Sequence, residues 1–184
     1  MTKQILITLL FLCSACAGYA ADGPAEQAKT LLEAAPFERG VACLPDCGNG
    51  ELALALARQS ELLILAMDED PKNVARLQAQ AAAAGFLGRG LYVEQGSIGS
   101  IPFADNYVDL LALPQVKQAE LAAEQKAEIL RVLTPIHGTA ILADGKIVKP
   151  ELEGSDWWMH KRHDPGNNPV SEDTLFQFPP VLQY

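Results

Sequence analysis

Five short apolar runs recur along the chain, at residues 40–44 (GVACL), 62–67 (LLILAM), 91–93 (LYV), 108–113 (VDLLAL) and 139–142 (TAIL). Nearly unbroken runs of this length suit strands buried on both faces, since a strand with one wet face alternates apolar and polar positions. Between the runs lie residues 51–58 (ELALALAR), 71–84 (PKNVARLQAQAAAA) and 118–133 (QAELAAEQKAEILRVL), all built from Ala, Leu, Glu, Gln and Lys. These are strong helix formers. Pro71 falls in a first helical turn, where its missing N–H costs nothing, and Gly85 is placed to close that helix. A further helix is expected over residues 24–35 (PAEQAKTLLEAA), with Leu31 and Leu32 on its buried side. Strands alternating with helices predict a Rossmann-like α/β fold: a doubly wound, mostly parallel sheet with helices on both faces. Its expected span is residues 37–148, after an N-terminal helical segment at 21–36.

Both ends of the chain break this pattern. The first residues, MTKQILITLLFLCSACAGYA, combine Lys3, an apolar run from Ile5 to Leu12 and small residues up to Ala20, the order of an export signal over residues 1–20. The apolar run is too short to span a membrane as a helix. Two processing routes fit: cleavage after Ala20, or lipid attachment at Cys16 behind Cys13-Ser14-Ala15. Either predicts an exported protein, periplasmic or anchored to the cell envelope. From residue 149 onward the composition turns to Pro, Gly, Asn and aromatics without helical period, and an irregular tail is expected there.

A hydrophobic content of 49% in 184 residues supplies one domain-sized core. The formal net charge of −9 sets nucleic acid aside, because binding a phosphate backbone rests on clustered Lys and Arg. Cys43 and Cys47 are the two cysteines beyond the export signal. Four residues apart around a turn, they could pair in an oxidising compartment, or remain two small semi-buried thiols. Two Cys without a neighbouring His are a weak metal signal, and no metal is expected.

Candidate chemistry gathers in three loops. Each follows an apolar run, and in open parallel sheets ligands bind at the carboxyl ends of the strands. The first loop is Asp46-Cys47-Gly48-Asn49-Gly50, whose glycines let a backbone approach a ligand with no Cβ between. The second begins at Asp68, where an acid can accept hydrogen bonds from both hydroxyls of a ribose. The third is Gly96-Ser97-Ile98, able to edge an adenine.

In order along the chain, DCGNGELALALA, MDEDPKNVARL, GSIGSIPFADNYVDLLAL and EILRVLTPIHGTAIL resemble the class I S-adenosylmethionine-dependent methyltransferases. The resemblance runs across residues 37–144. It implies S-adenosylmethionine as cofactor, with Gly48 and Gly50 facing its methionine part, Asp68 its ribose hydroxyls, and Ser97 with Ile98 its adenine. Two alignments of the first loop are open. Gly48 and Gly50 can match the last two family glycines, which puts Asp46 where the first belongs and Leu44 where an acid normally meets the cofactor. Alternatively Asp46 is itself that acid, with Leu52 at the third glycine. Ser97 stands where Asp is common, and Ile136-His137 replace a pair of glycines after Pro135.

Methyl transfer requires mainly alignment of the acceptor and exclusion of water, so no obligatory catalytic residue follows from the sequence and the acceptor stays open. His137 is expected to be a surface loop residue. Asp105 and Asp109 are expected to shape the turn before the fourth strand. The tail, through Trp157, Arg162-His163-Asp164, Asn167-Asn168, Ser171 and residues 181–184 (VLQY), resembles the entry strand of quinoprotein-like β-propellers. That resemblance implies a second reading, a noncatalytic docking module of an exported propeller protein.

Overall fold

The computed structural model describes residues 23–35, 39–156, 166 and 170–175. The export signal and most of the aromatic tail lie outside them. The chain divides into two compact units, residues 1–149 and residues 150–184.

The first unit holds helix α1 (Pro24–Ala34), strand β1 (Val41–Leu44), α2 (Glu51–Gln59), β2 (Leu63–Asp68), α3 (Pro71–Ala83), β3 (Leu91–Gln95), β4 (Leu110–Leu113), a 3-10 turn (Gln118–Glu120), α4 (Ala123–Val132), β5 (Thr139–Leu142) and β6 (Gly145–Val148). The six strands form one sheet in the order β3-β2-β1-β4-β5-β6. Neighbours are parallel except β5 and β6, which pair antiparallel. The order in which strands are added reverses between the parallel neighbours β1 and β4, so the loops after β1 and β4 open side by side. That crevice is the usual ligand position in such sheets.

Strand alternation divides the core into two layers. Ala42, Leu44, Ile64, Ala66, Leu110, Ala112 and Ile141 face one layer, with Leu31 of α1, Leu56 of α2 and Leu77 of α3. Cys43, Leu65, Met67, Leu111, Leu113, Ala140 and Leu142 face the other, with Ile129 and Val132 of α4. Helix α2 buries four consecutive residues, Ala53 to Leu56, because the sheet covers one side and α1 the other. Helix α3 starts where expected. The Asp70 side chain accepts from Lys72 N at its N-cap, and Val74, Leu77 and Ala81 form its buried stripe.

Three features depart from the expectation. The helix expected over 118–133 is split, because Leu121 turns into the second layer and α4 restarts at Ala123 under a cap in which Ala122 N donates to Gln125 Oε1. Strand β6 was not expected, being short and largely exposed; its signal was Asp144-Gly145 between two β-rich runs, a hairpin dipeptide. The compact unit also extends one residue past 148. Lys149 is nearly buried and donates through Nζ to Asn106 Oδ1 and the Arg131 carbonyl.

Cys43 and Cys47 are buried free thiols that belong to opposite layers of the core. Burial pushes the Cys43 thiol up to about 12. In the second unit the described residues form no regular element. Gly154 O accepts from Thr174 N, and the Asp156 carboxylate accepts from Ser171 Oγ and Glu172 N.

The turn that replaces the glycine pair carries strain. Ile136 has φ +70, a left-handed conformation that a β-branched residue adopts at a cost. Gly138 after it is indispensable, because a Cβ there would lie 2.4 Å from both N and O of Thr134. Ile136→Gly is therefore expected to raise stability by about 1 kcal/mol, the scale of the left-handed penalty less glycine's extra unfolded-state entropy. Urea unfolding of variant and wild type checks it; a lower midpoint for the glycine variant would contradict it.

Candidate cofactor and acceptor site

The loop after β1 is fixed from several sides. Cys47 N donates to Met67 O, and Gly50 N donates to Cys47 O. Gly48 has φ +52 and Gly50 φ +81, the latter as N-cap of α2. The two glycines serve different ends. A Cβ on Gly48 would point into open space, so the position leaves an open cradle, whereas one on Gly50 would lie 2.6 Å from Leu77 Cδ1. Gly50 is buried and lets α2 start against α3.

Asp68, at the carboxyl end of β2, ties two loops together. Its Oδ2 accepts from Gly48 N at 3.0 Å, and its Oδ1 accepts from Asp70 N at 2.9 Å and Asn73 Nδ2 at 3.1 Å. The residue is only 7% exposed. The Cys47 thiol also points at Oδ2, at 4.0 Å, so groups of the chain itself reach all of the roughly four lone-pair positions of the carboxylate, the thiol contact being the long one.

Two adjoining cavities flank the loop. One of about 380 Å³ is lined by Pro45, Asp46, Asp68, Glu69, Asp70 and Ile98. The other, about 340 Å³, runs between the β1 loop, the β4 loop and the start of α1, and includes Gln27, Asp46, Gly48, Glu51, Leu113 and Gln115. Asp46 borders both. Of the residues expected at the cofactor, Asp46, Gly48, Asp68 and Ile98 thus come together. Ser97 lies in the same loop as Ile98, within a bridge to Ser100, but does not line either cavity. Gln27, Glu51 and Gln115 were not anticipated. Only the crossing of α1 and the β4 loop over the sheet brings them to the cavity, and no local motif marks them.

The site is acidic. Partial desolvation raises the Asp46 carboxyl above its ordinary range, and the charges of Asp68 and Glu69 add to this. The Cys47 thiol is pushed up to about 11, by burial first and then by Asp68 and Asp46. His137 stands at the opposite, amino end of β5, exposed, with its carbonyl accepting from Thr139 Oγ1. It is remote from both cavities. Asp109 accepts from Val41 N and Thr134 Oγ1, joining the starts of β1 and β4 to the turn before β5. Among the described residues no group of His, Cys, Asp and Glu could hold a metal ion, and no helix is long and apolar enough to cross a membrane.

Residues 46–136 match the family profile described as "Methyltransferase domain". The first unit is a methyltransferase-like domain. A protein of Methanococcus maripaludis assigned as an S-adenosyl-L-methionine-dependent methyltransferase shares 25% identity, with TM-score 0.57, over 65% of this chain and 53% of that one. The [4+2]-cyclase SpnF (23% identity, TM-score 0.57, 64% of this chain and 43% of that one) and a geranyl diphosphate methyltransferase in complex with S-adenosylmethionine (14%, 0.55, 64% and 48%) share the fold. The chain therefore spans about half the length of these structures. No curated protein sequence matches it. A cyclase among the structural relatives of the methyltransferase-like domain shows that this fold does not by itself fix the reaction.

Proposed function

We propose that the methyltransferase-like domain binds S-adenosylmethionine across the two cavities and transfers its methyl group. The observation that carries this reading is the Gly48 cradle hydrogen-bonded to Asp68 at the carboxyl ends of β1 and β2, within the segment that matches the methyltransferase profile. The residues fit the group. Open space before Gly48 admits a ligand against the backbone, Asp68 lines the cavity where a ribose hydroxyl can take the place of the long Cys47 thiol contact, Ile98 offers an apolar edge, and the acids suit a cation. When bound, the cofactor supplies an electrophilic methyl on a sulfonium. The chain's own task is to hold acceptor and methyl in line and to keep water out. Calorimetric titration with S-adenosylmethionine and S-adenosylhomocysteine tests the reading. One-to-one binding with a dissociation constant between about 1 μM and 1 mM, the span of ordinary enzyme substrates, is expected. Absence of heat with both at millimolar concentration would overturn it.

We also propose export, through residues 1–20, and a propeller-like role for the tail; both rest on sequence resemblance. Mass determination of the protein recovered from its native cell envelope tests the first. A mature amino terminus at Ala21, or a lipid-modified Cys16, supports export, and an intact Met1 refutes it.

A further inference from the structure

We propose that Asn73 and Arg76 of α3 are positioning residues of the cofactor site, which together hold the Gly48 backbone and the Asp68 carboxylate in the arrangement that receives the ligand. This rests on the cofactor reading above and adds what fixes that site. The two side chains close a circuit of hydrogen bonds. Asp68 Oδ2 accepts from Gly48 N at 3.0 Å, and Asp68 Oδ1 accepts from Asn73 Nδ2 at 3.1 Å. Arg76 Nη2 donates to Asn73 Oδ1 and, at 3.2 Å, to Gly48 O. Both backbone polar groups of Gly48 are thereby engaged, one at each end of the circuit.

Chemistry fixes each member. A guanidinium only donates and a carboxylate only accepts, so Asn73 between them must turn its oxygen to Arg76 and its NH2 to Asp68. An acid at this position would set two carboxylates against each other, and an apolar side chain would end the relay. Gly48 needs such a clamp. Glycine visits left- and right-handed φ about equally, and at φ +52 Gly48 has no side chain to restrain it. A cradle open to a ligand is rigid only if its neighbours hold it. A loop held before binding spares the ligand the entropy of ordering it.

The helix itself does not depend on the pair. Pro71, the Asp70 cap and the buried stripe of Val74, Leu77 and Ala81 secure α3. Arg76 is exposed and Asn73 half-buried, both off that stripe. Exposed side chains away from core and caps add little to stability, so the effect of Arg76 falls on the loop rather than on the fold.

The test is calorimetric titration of the full chain with S-adenosylhomocysteine, beside urea unfolding and the backbone amide resonances of Gly48, Val74 and Leu77. Arg76→Met keeps the apolar stem and removes the donors. It is expected to weaken binding about three- to tenfold, the scale of one lost hydrogen bond. It should also shift the Gly48 amide and speed its exchange with solvent, while the unfolding midpoint and the amides of Val74 and Leu77 stay nearly unchanged. Arg76→Lys, which can still donate to Gly48 O, should recover part of the affinity. Asn73→Ala should weaken binding to a similar extent, and the double variant little beyond the more weakly binding single one, because members of one network do not add. Wild-type affinity in Arg76→Met and Asn73→Ala overturns the clamp and leaves the cofactor site standing. So does a loss that adds fully in the double variant, or one that comes with a lowered midpoint and displaced α3 amides, the marks of a structural role. Failure of S-adenosylhomocysteine to bind the wild-type chain overturns both readings.

Discussion

Asp68→Ala is expected to weaken binding of S-adenosylhomocysteine by about ten- to hundredfold and to lower stability by about 2 to 4 kcal/mol. The alanine leaves Gly48 N, Asp70 N and Asn73 Nδ2 without their acceptor. Hydrogen bonds to a charged group are each worth about 1.5 to 3 kcal/mol. Partial access of water to Asp70 and Asn73 keeps the sum below three full bonds. The affinity loss has two sources, the ribose acceptor and the slackened Gly48 loop. Asp68→Asn separates them, because it keeps one oxygen acceptor and the shape of the side chain, so it should recover more stability than affinity. Calorimetry and urea unfolding measure the two quantities. Unchanged affinity in both variants would remove Asp68 from the site.

A stability effect of similar size is expected at the other end of the sheet. Arg131 donates to Glu128, to Asp105, and to the carbonyls of Ile101 and Phe103, clamping α4 to the loop before β4. The Glu128 carboxylate also accepts from Ile101 N at 2.8 Å, and its side chain is 16% exposed. Arg131→Ala leaves that carboxylate half-satisfied. Breaking a buried pair costs about 3 to 5 kcal/mol; with the Arg131 side chain 34% exposed, the discounted expectation is about 2 to 4 kcal/mol. For a domain near this size that is a fall in melting temperature of about 5 to 15 °C.

Acid sensitivity gives this prediction a second readout. The hydrogen bond from Arg131 holds the Glu128 carboxyl below its ordinary 4.5, against the upward push of desolvation. A carboxyl depressed in the folded state stabilises above its unfolded pKa, and that contribution is lost as pH falls through the folded value. The gap between wild type and Arg131→Ala should therefore narrow as the pH is lowered through and below the ordinary carboxylate range. A gap that stays constant across this range would show that Arg131 acts by packing alone.

The sequence by itself determined the class of fold. Runs such as LLILAM and VDLLAL report burial on both faces, and PKNVARLQAQAAAA carries its proline and its apolar stripe within one segment, with a closing glycine next to it. These are local signals, set by which groups a strand or helix must hide. They also exposed the glycine loop and the acid after β2, because a strand end followed by Gly or Asp is a short-range pattern. The break in residues 118–133 was not legible, since Leu121 leaves the helix only to reach a layer built by other strands. Nor was β6, whose exposed residues carry no apolar period and whose partner supplies the reason for pairing.

Tertiary structure alone decided which polar groups meet. Sequence marks both Gly48 and Gly50 as glycines, but only packing against Leu77 makes one of them a structural necessity and leaves the other open to a ligand. Sequence marks Asp46 and Asp68 as candidates, expects His137 on a surface loop and gives no signal for Glu51. The sheet order sends His137 to the amino end, brings Asp46 and Glu51 to one cavity with Gln27 and Gln115, and turns most of Asp68 toward its own backbone. Contacts between residues 24 and 116 depend on the crossing of a helix over strands whose neighbours are distant in sequence, and no local composition encodes that crossing.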